Sequence, residues 1–176
     1  MASTSVRLIK PLLNPRNDED ESREARPRGR LVGYRRVLVS LAAGPGAPQT
    51  MTVACRLAAE RDALVTALSV IEIPAELPLA AQMLEEEAEA QRQGSDARAI
   101  AELYGVGIAI RLRRARFAGE AIVAEAALGG SEIIVIGMPR RPASAVRGAA
   151  VFARSVDFVL KNAPCRIVVS ALPPGV

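Results

Sequence analysis

Short apolar runs alternate with stretches in which apolar residues recur at helical spacing, and that alternation sets the order of elements. RVLVSL at 36–41 and LVTALSVI at 64–71 are rich in β-branched and apolar residues and bounded by turn formers, which predicts strands buried on both faces. Between them AAGPGAP breaks the chain. Pro48 then suits a first helical turn, and Val53, Ala54, Leu57 and Ala58 put an apolar stripe on a helix over 49–62. Strand, helix and strand in this order form a βαβ unit whose crossover should be right-handed.

Downstream, Pro74 and Pro78 mark an irregular exit. Leu79, Met83, Ala90, Ala97, Ile100, Ala101 and Leu103 predict one long helix over 79–104, weakened near Gly94 and closed by Gly105. Its acidic run, Glu85 to Glu87, reads as a solvated face, because consecutive helical residues point to different sides and cannot converge on one ion. Residues 106–117 alternate around Ile108, Ile110 and Leu112, with arginines on the other face, as expected of an edge strand. A helix over 119–128 turns Ile122, Val123 and Ala126 inward and stops at Gly129-Gly130. A fourth strand at 132–136 leads through the loop GMPRRPASAVRG into a helix over 151–162, with Val151, Val156, Val159 and Leu160 as its stripe. Pro164 ends that helix, and 166–170 is the fifth strand. Strands alternating with helices in this way predict an α/β fold, a doubly wound five-stranded parallel sheet with helices on both faces.

Outside this pattern, residues 1–33 open with a small apolar patch around Leu8 to Leu13 and pass into mixed charge and proline. This composition predicts a flexible tail or linker before a domain at 34–171, and 172–176 should fray.

Composition narrows the chemistry. The chain has no histidine, which removes Ser-His-Asp and Cys-His catalysis and all His-ligated metal sites; no metal site is expected. Cys55 and Cys165 lie among apolar neighbours without CxxC spacing and read as small buried hydrophobes of a reducing, cytoplasmic setting. The net charge of +4 is spread among interspersed acids, and the five aromatics are scattered, so no nucleic-acid surface is expected. No run has the length of a membrane span and the N-terminus lacks a signal-peptide core, so no membrane insertion is expected.

RVLVSL, LVTALSVIEIP, RARFAGEAIVAEAALGGSEIIVIG and, most specifically, NAPCRIVV resemble the universal stress proteins over residues 34–171. The resemblance implies strand order 3-2-1-4-5, often a homodimer through the last strand, and a ligand site at the carboxyl ends of strands one and four. Family members that bind ATP use an Asp after strand one and the pattern G-x2-G-x9-G-[ST] after strand four. Here Ala42 takes the acidic position. With Gly137 as first glycine, Arg140 and Ala150 occupy the other two and Val151 the Ser/Thr position; counting back from NAPC puts Ala153 third, followed by Arg154 and Ser155. Both registers lose glycines that would let backbone N–H groups approach a phosphate.

The candidate nucleotide- or phosphate-binding residues are therefore Leu41, Ala42, Val70, Gly137, Met138, Arg140, Arg141, Arg154 and Ser155. The arginines either supply bidentate phosphate contacts, Arg147 included, or stay solvated. No residue is an evident general base, and Glu72 and Asp157 read as a strand-end and a helix-surface residue. The expectation is a non-catalytic regulatory or stress-response domain with a degenerate site for ATP, AMP or a cyclic dinucleotide. The alternatives are an adenine-nucleotide-binding protein that hydrolyses ATP slowly, and a scaffold whose site is filled by Leu41, Met138 and Pro139. Phe152 to Leu160, FARSVDFVL, is similar to the F-G-[RK]-[ST]-V-D-x-V-L of domains linked to amino-acid permeases, which implies a membrane transporter as partner.

Overall fold

The computed structural model describes residues 34–42, 46–59, 62–138 and 147–171; the expected tail at 1–33 and frayed end at 172–176 lie outside them. Five strands and four helices alternate: β1 (Arg36–Leu41), α1 (Ala47–Ala58), β2 (Leu64–Glu72), α2 (Leu84–Leu103), β3 (Gly107–Ala115), α3 (Ala118–Leu128), β4 (Ile133–Met138), α4 (Arg147–Asn162) and β5 (Arg166–Ala171). All strand pairs are parallel and the order is β3-β2-β1-β4-β5, the doubly wound sheet expected.

The two-residue period of a strand divides the core into two layers. Val37, Val39, Leu41, Ile133 and Val135 face α1 and α2, where Met51, Ala54, Cys55, Ala97 and Ala101 meet them. Leu38, Leu68, Ile134 and Ile136 face α3 and α4, where Ile122, Ala126, Val156 and Val159 close the opposite layer. β1 and β4 lie at the centre of the sheet, so their apolar runs are buried on both faces.

Two helix starts differ from the periodicity, and one expected weakness inside a helix is absent. α2 begins at Leu84, five residues later than the apolar spacing suggests. Residues 74–83 turn instead, through Leu77 N–H to Pro74 O at 3.1 Å and Ala81 N–H to Pro78 O at 2.9 Å, and the Glu87 carboxylate accepts the Met83 N–H at the helix start. Gly94 does not weaken α2. It lies where the helix crosses β3, and a Cβ there would stand 3.1 Å from Ile110 Cγ2, so glycine permits the close approach. α4 begins at Arg147 rather than 151.

The arginines of β3 and just beyond it do more than meet solvent, and they serve both faces of the strand. Arg113 Nε donates to the buried Glu125 at 2.7 Å. Arg114 donates to Ala81 O and pairs with Glu87, while Arg116 donates to the carbonyls of Ile73 and Pro74. The bonds of Arg114 and Arg116 tie the loop before α2 to the sheet edge, so arginines that look solvated set where α2 starts.

Candidate functional site

A cavity of about 650 Å³ opens at the carboxyl ends of β1 and β2. Parallel strands all end on this side, and the chain must leave the sheet there through loops, which is why crevices in such folds form at this edge. Ser40, Leu41 and Ala42 supply one wall and Ser69 to Glu72 the floor; α2, the first turn of α3 and Ser155 of α4 complete the enclosure. The register sets Leu41 beside Ser69, so the ends of the two strands present a continuous shelf.

The polar groups of this shelf form a chain. Ser69 Oγ donates to Gln93 Oε1 at 3.2 Å, Gln93 Nε2 donates to Glu89 Oε1 at 3.1 Å, and Arg92 Nε donates to Glu89 Oε2 at 3.1 Å. The Arg92 guanidinium, with help from the Gln93 amide, holds the Glu89 carboxyl below its usual pKa. On the far side Glu72 Oε1 accepts the Ala118 N–H at 2.6 Å, so its charge meets the positive end of the α3 dipole. Ser40 is only 4% exposed and lines the cavity, and among the described residues no buried side-chain nitrogen or oxygen is without a hydrogen-bond partner.

Of the residues singled out from sequence, Leu41, Ala42, Val70 and Ser155 come together in this cavity. Gly137 and Met138 lie at the end of β4 outside its lining, with Met138 exposed. The bare side of Gly137 faces α1, where a Cβ would meet Thr50 Oγ1 at 2.8 Å; close packing accounts for that glycine. Arg140 and Arg141 lie outside the described residues, as does Pro139. The Arg154 guanidinium stands 5.5 Å from the centre of the Phe117 ring, which Phe158 meets edge-on at 5.2 Å, so this arginine has a cation–π partner within the fold.

Sequence reasoning missed Ser40, Ser69, Glu89 and Gln93. Gln93 carried a signal: it is a polar residue one turn beyond Ala90 and one turn before Ala97, within the buried stripe of α2. Asp157, considered and set aside as a base, pairs with Lys161 at 2.8 Å on the surface of α4. Among the described residues no group of His, Cys, Asp and Glu could hold a metal ion, and no helix is long and apolar enough to cross a membrane.

A doubly wound parallel sheet with a crevice at the carboxyl ends of its strands is an α/β domain of the class in which ligands bind at that edge. Residues 33–170 match the Universal stress protein family, and the chain belongs to that family. Among solved structures it is similar to a universal stress protein from Archaeoglobus fulgidus, with 20% identity and a TM-score of 0.63 over 77% of this chain and 98% of that one. It is also similar to universal stress protein UspA from Lactobacillus plantarum, with 20% identity and a TM-score of 0.61 over 78% and 97% of the two chains. The universal stress protein from A. fulgidus in complex with dAMP matches with 20% identity and a TM-score of 0.58 over 78% and 98%. At these identities the likeness is one of fold. No curated protein matches the chain.

Proposed function

We propose that this chain is a non-catalytic regulatory domain of the universal stress protein family that binds an adenine nucleotide in the cavity at the ends of β1 and β2. The observation that carries this reading is the cavity itself: about 650 Å³, within the range of small-molecule sites, with apolar walls from Leu41, Val70, Ile71 and Ile122 and a few polar groups converging from Ser40, Ser69 and Gln93. A solved A. fulgidus relative of the same fold is in complex with dAMP, which gives the ligand class. Of the acids that line the cavity, Glu72 accepts the Ala118 N–H and Glu89 pairs with Arg92, while Glu85 and Glu86 are exposed on the first turn of α2, which favours binding over slow ATP hydrolysis.

Within this reading the domain acts by association, as a homodimer through β5 and in the cytoplasm, where free Cys55 and Cys165 stay reduced. The resemblance of Phe152 to Leu160 to permease-linked domains extends it to a membrane transporter as partner; crosslinking in intact cells that captures no membrane protein would remove that part.

The binding test is a titration of the full chain with AMP, ATP and a cyclic dinucleotide, followed by thermal unfolding. A ligand that binds the fold raises the midpoint, by about 2.7 kcal/mol of stabilisation at a hundredfold excess over Kd. Ala42→Trp, which fills the mouth of the cavity, should abolish the shift while the protein stays folded. Absence of a shift for every ligand at millimolar concentration rejects the proposal.

A further inference from the structure

β3 is the outermost strand of the sheet on its side, paired with β2 alone. In a parallel strand the backbone groups turn to one side and then the other with a period of two residues. Ala115 O accepts the Ile73 N–H at the end of β2 at 2.8 Å, so Arg113, Arg111 and Ala109 also turn their backbone inward. Ile108, Ile110, Leu112 and Arg114 therefore leave their N–H and C=O groups along the outer edge.

A groove of about 660 Å³ runs beside that edge, between Ile110 and Leu112 of β3 and Gln91, Gly94, Ser95 and Arg98 of α2. Its lining shares only Ser69 and Ala90 with the cavity at the ends of β1 and β2. Ile108 and Ile110 pack against the core under α2, whereas Leu112 on the same face is 46% exposed. Arg111 stands on the opposite face, with Arg113, which reaches Glu125 of α3.

The charge at this edge is basic and partly uncommitted. Arg113 pairs with Glu125 and Arg114 with Glu87, but among the described residues Arg98 and Arg111 are exposed and make no ion pair or side-chain hydrogen bond. Glu102, one turn beyond Arg98, is the single acid among the described residues of the lining. A second copy of β3 would bring its own Arg111, Arg113 and Arg114 to the same edge, like charge against like. The arginines that repel such a strand attract an acidic one.

We propose that the outer edge of β3 accepts an extended acidic segment of another protein as an added strand, with small apolar side chains in the α2 groove over Leu112 and carboxylates toward Arg98 and Arg111. The outward backbone groups of 108–114 supply the pairing, the groove admits alternate side chains, and the arginines select the charge. This surface is independent of nucleotide binding.

The test is fluorescence anisotropy of a labelled peptide alternating glutamate and valine, titrated with the full chain. Two control peptides have lysine for glutamate, or N-methyl groups on alternate backbone nitrogens, which keep the charge and remove the strand pairing. Only the unmodified acidic peptide should bind. The R98Q/R111Q variant should weaken it by about threefold to tenfold, as the loss of two exposed ion pairs implies. Both substitutions are at exposed positions, and about 0.5 M salt should weaken binding likewise without any variant. No binding of the acidic peptide at millimolar concentration, or equal binding of the lysine or N-methylated peptide, overturns the proposal. So does an affinity that neither salt nor the variant changes. A dimer of the free chain that Leu112→Lys dissolves would give the edge to a second copy, and overturns it as well.

Discussion

Replacing Gly137 by alanine separates two roles for the one glycine of the expected phosphate pattern that this chain keeps. The new Cβ would stand 2.8 Å from Thr50 Oγ1, inside the 3.0 Å that real Cβ contacts essentially never pass. Thr50 cannot easily give way. It is 2% exposed, and its hydroxyl donates to Gly46 O at 2.9 Å across the first turn of α1. Either α1 moves off β4 or Thr50 rotates and loses its bond. Overpacking of this kind costs about 1–3 kcal/mol, and removing a glycine from a strand returns roughly 0.5–1 kcal/mol, for a net loss of about 1–2 kcal/mol. The melting temperature should fall by roughly 3–8 °C.

Thr50→Ala removes the obstructing atom at a cost of about 1–2 kcal/mol of its own, from one hydrogen bond and one buried methyl group. In that background Gly137→Ala should cost nothing, so the two changes couple by about 1–2 kcal/mol. Urea unfolding of the four proteins, at constant slope, measures the cycle. Equal costs of Gly137→Ala in both backgrounds would refute the packing argument. So would a double variant that is stable but has lost nucleotide affinity tenfold, since Gly137 would then belong to the ligand.

Other expectations follow from the same coordinates. Arg113→Ala leaves the Glu125 carboxylate buried without its 2.7 Å partner and should cost about 1–2 kcal/mol, discounted because the Arg113 side chain is half exposed. Glu125→Gln in the same chain should recover part of that, and a loss below about 0.5 kcal/mol in denaturant unfolding would contradict it. Burial pushes the Cys55 thiol up from 9.0 to about 11, so the folded state holds the proton more tightly than the unfolded one. The resulting stability is whole below pH 9 and lost as pH rises to about 11. Wild type and Cys55→Ala should therefore converge by roughly 2 kcal/mol between pH 8 and pH 10.5, and a constant difference would show that the thiol does not ionise differently on folding. Val169, exposed on the β5 edge, should carry dimer contacts, so Val169→Lys should lower the mass in light scattering to that of a monomer; an unchanged mass would place the interface elsewhere.

The sheet was legible because its central strands are buried on both faces, and a run such as Glu132 to Ile136 can serve no other purpose in a chain of this pattern. The start of α2 was not. Leu79 and Met83 fall at helical spacing, but carbonyls of 73, 74 and 81 are held by arginines more than thirty residues away, which no local period records. The site divides in the same way. Leu41, Ala42 and Val70 follow from strand ends plus topology, whereas the link from Ser69 to Gln93 spans 24 residues and depends on how α2 crosses the sheet. Glu72 shows the limit from another side: it is a strand-end residue, as its position says, and it also caps α3 at a distance of 46 residues.

Loss of the glycine pattern and loss of the crevice are separate events, and only the first is written in this chain. A site that had become a mere scaffold would be expected to close with apolar side chains. Leu41 is buried, but the space beside it stays open at about 650 Å³, and Met138 is turned to solvent. The polar residues account for themselves within the fold. Ser69 donates its hydroxyl to Gln93, which in turn leans on Glu89 and Arg92. Among the described residues no buried side-chain nitrogen or oxygen lacks a hydrogen-bond partner, so it is the open space beside Leu41, and not a forgone hydrogen bond, that separates this chain from a filled scaffold.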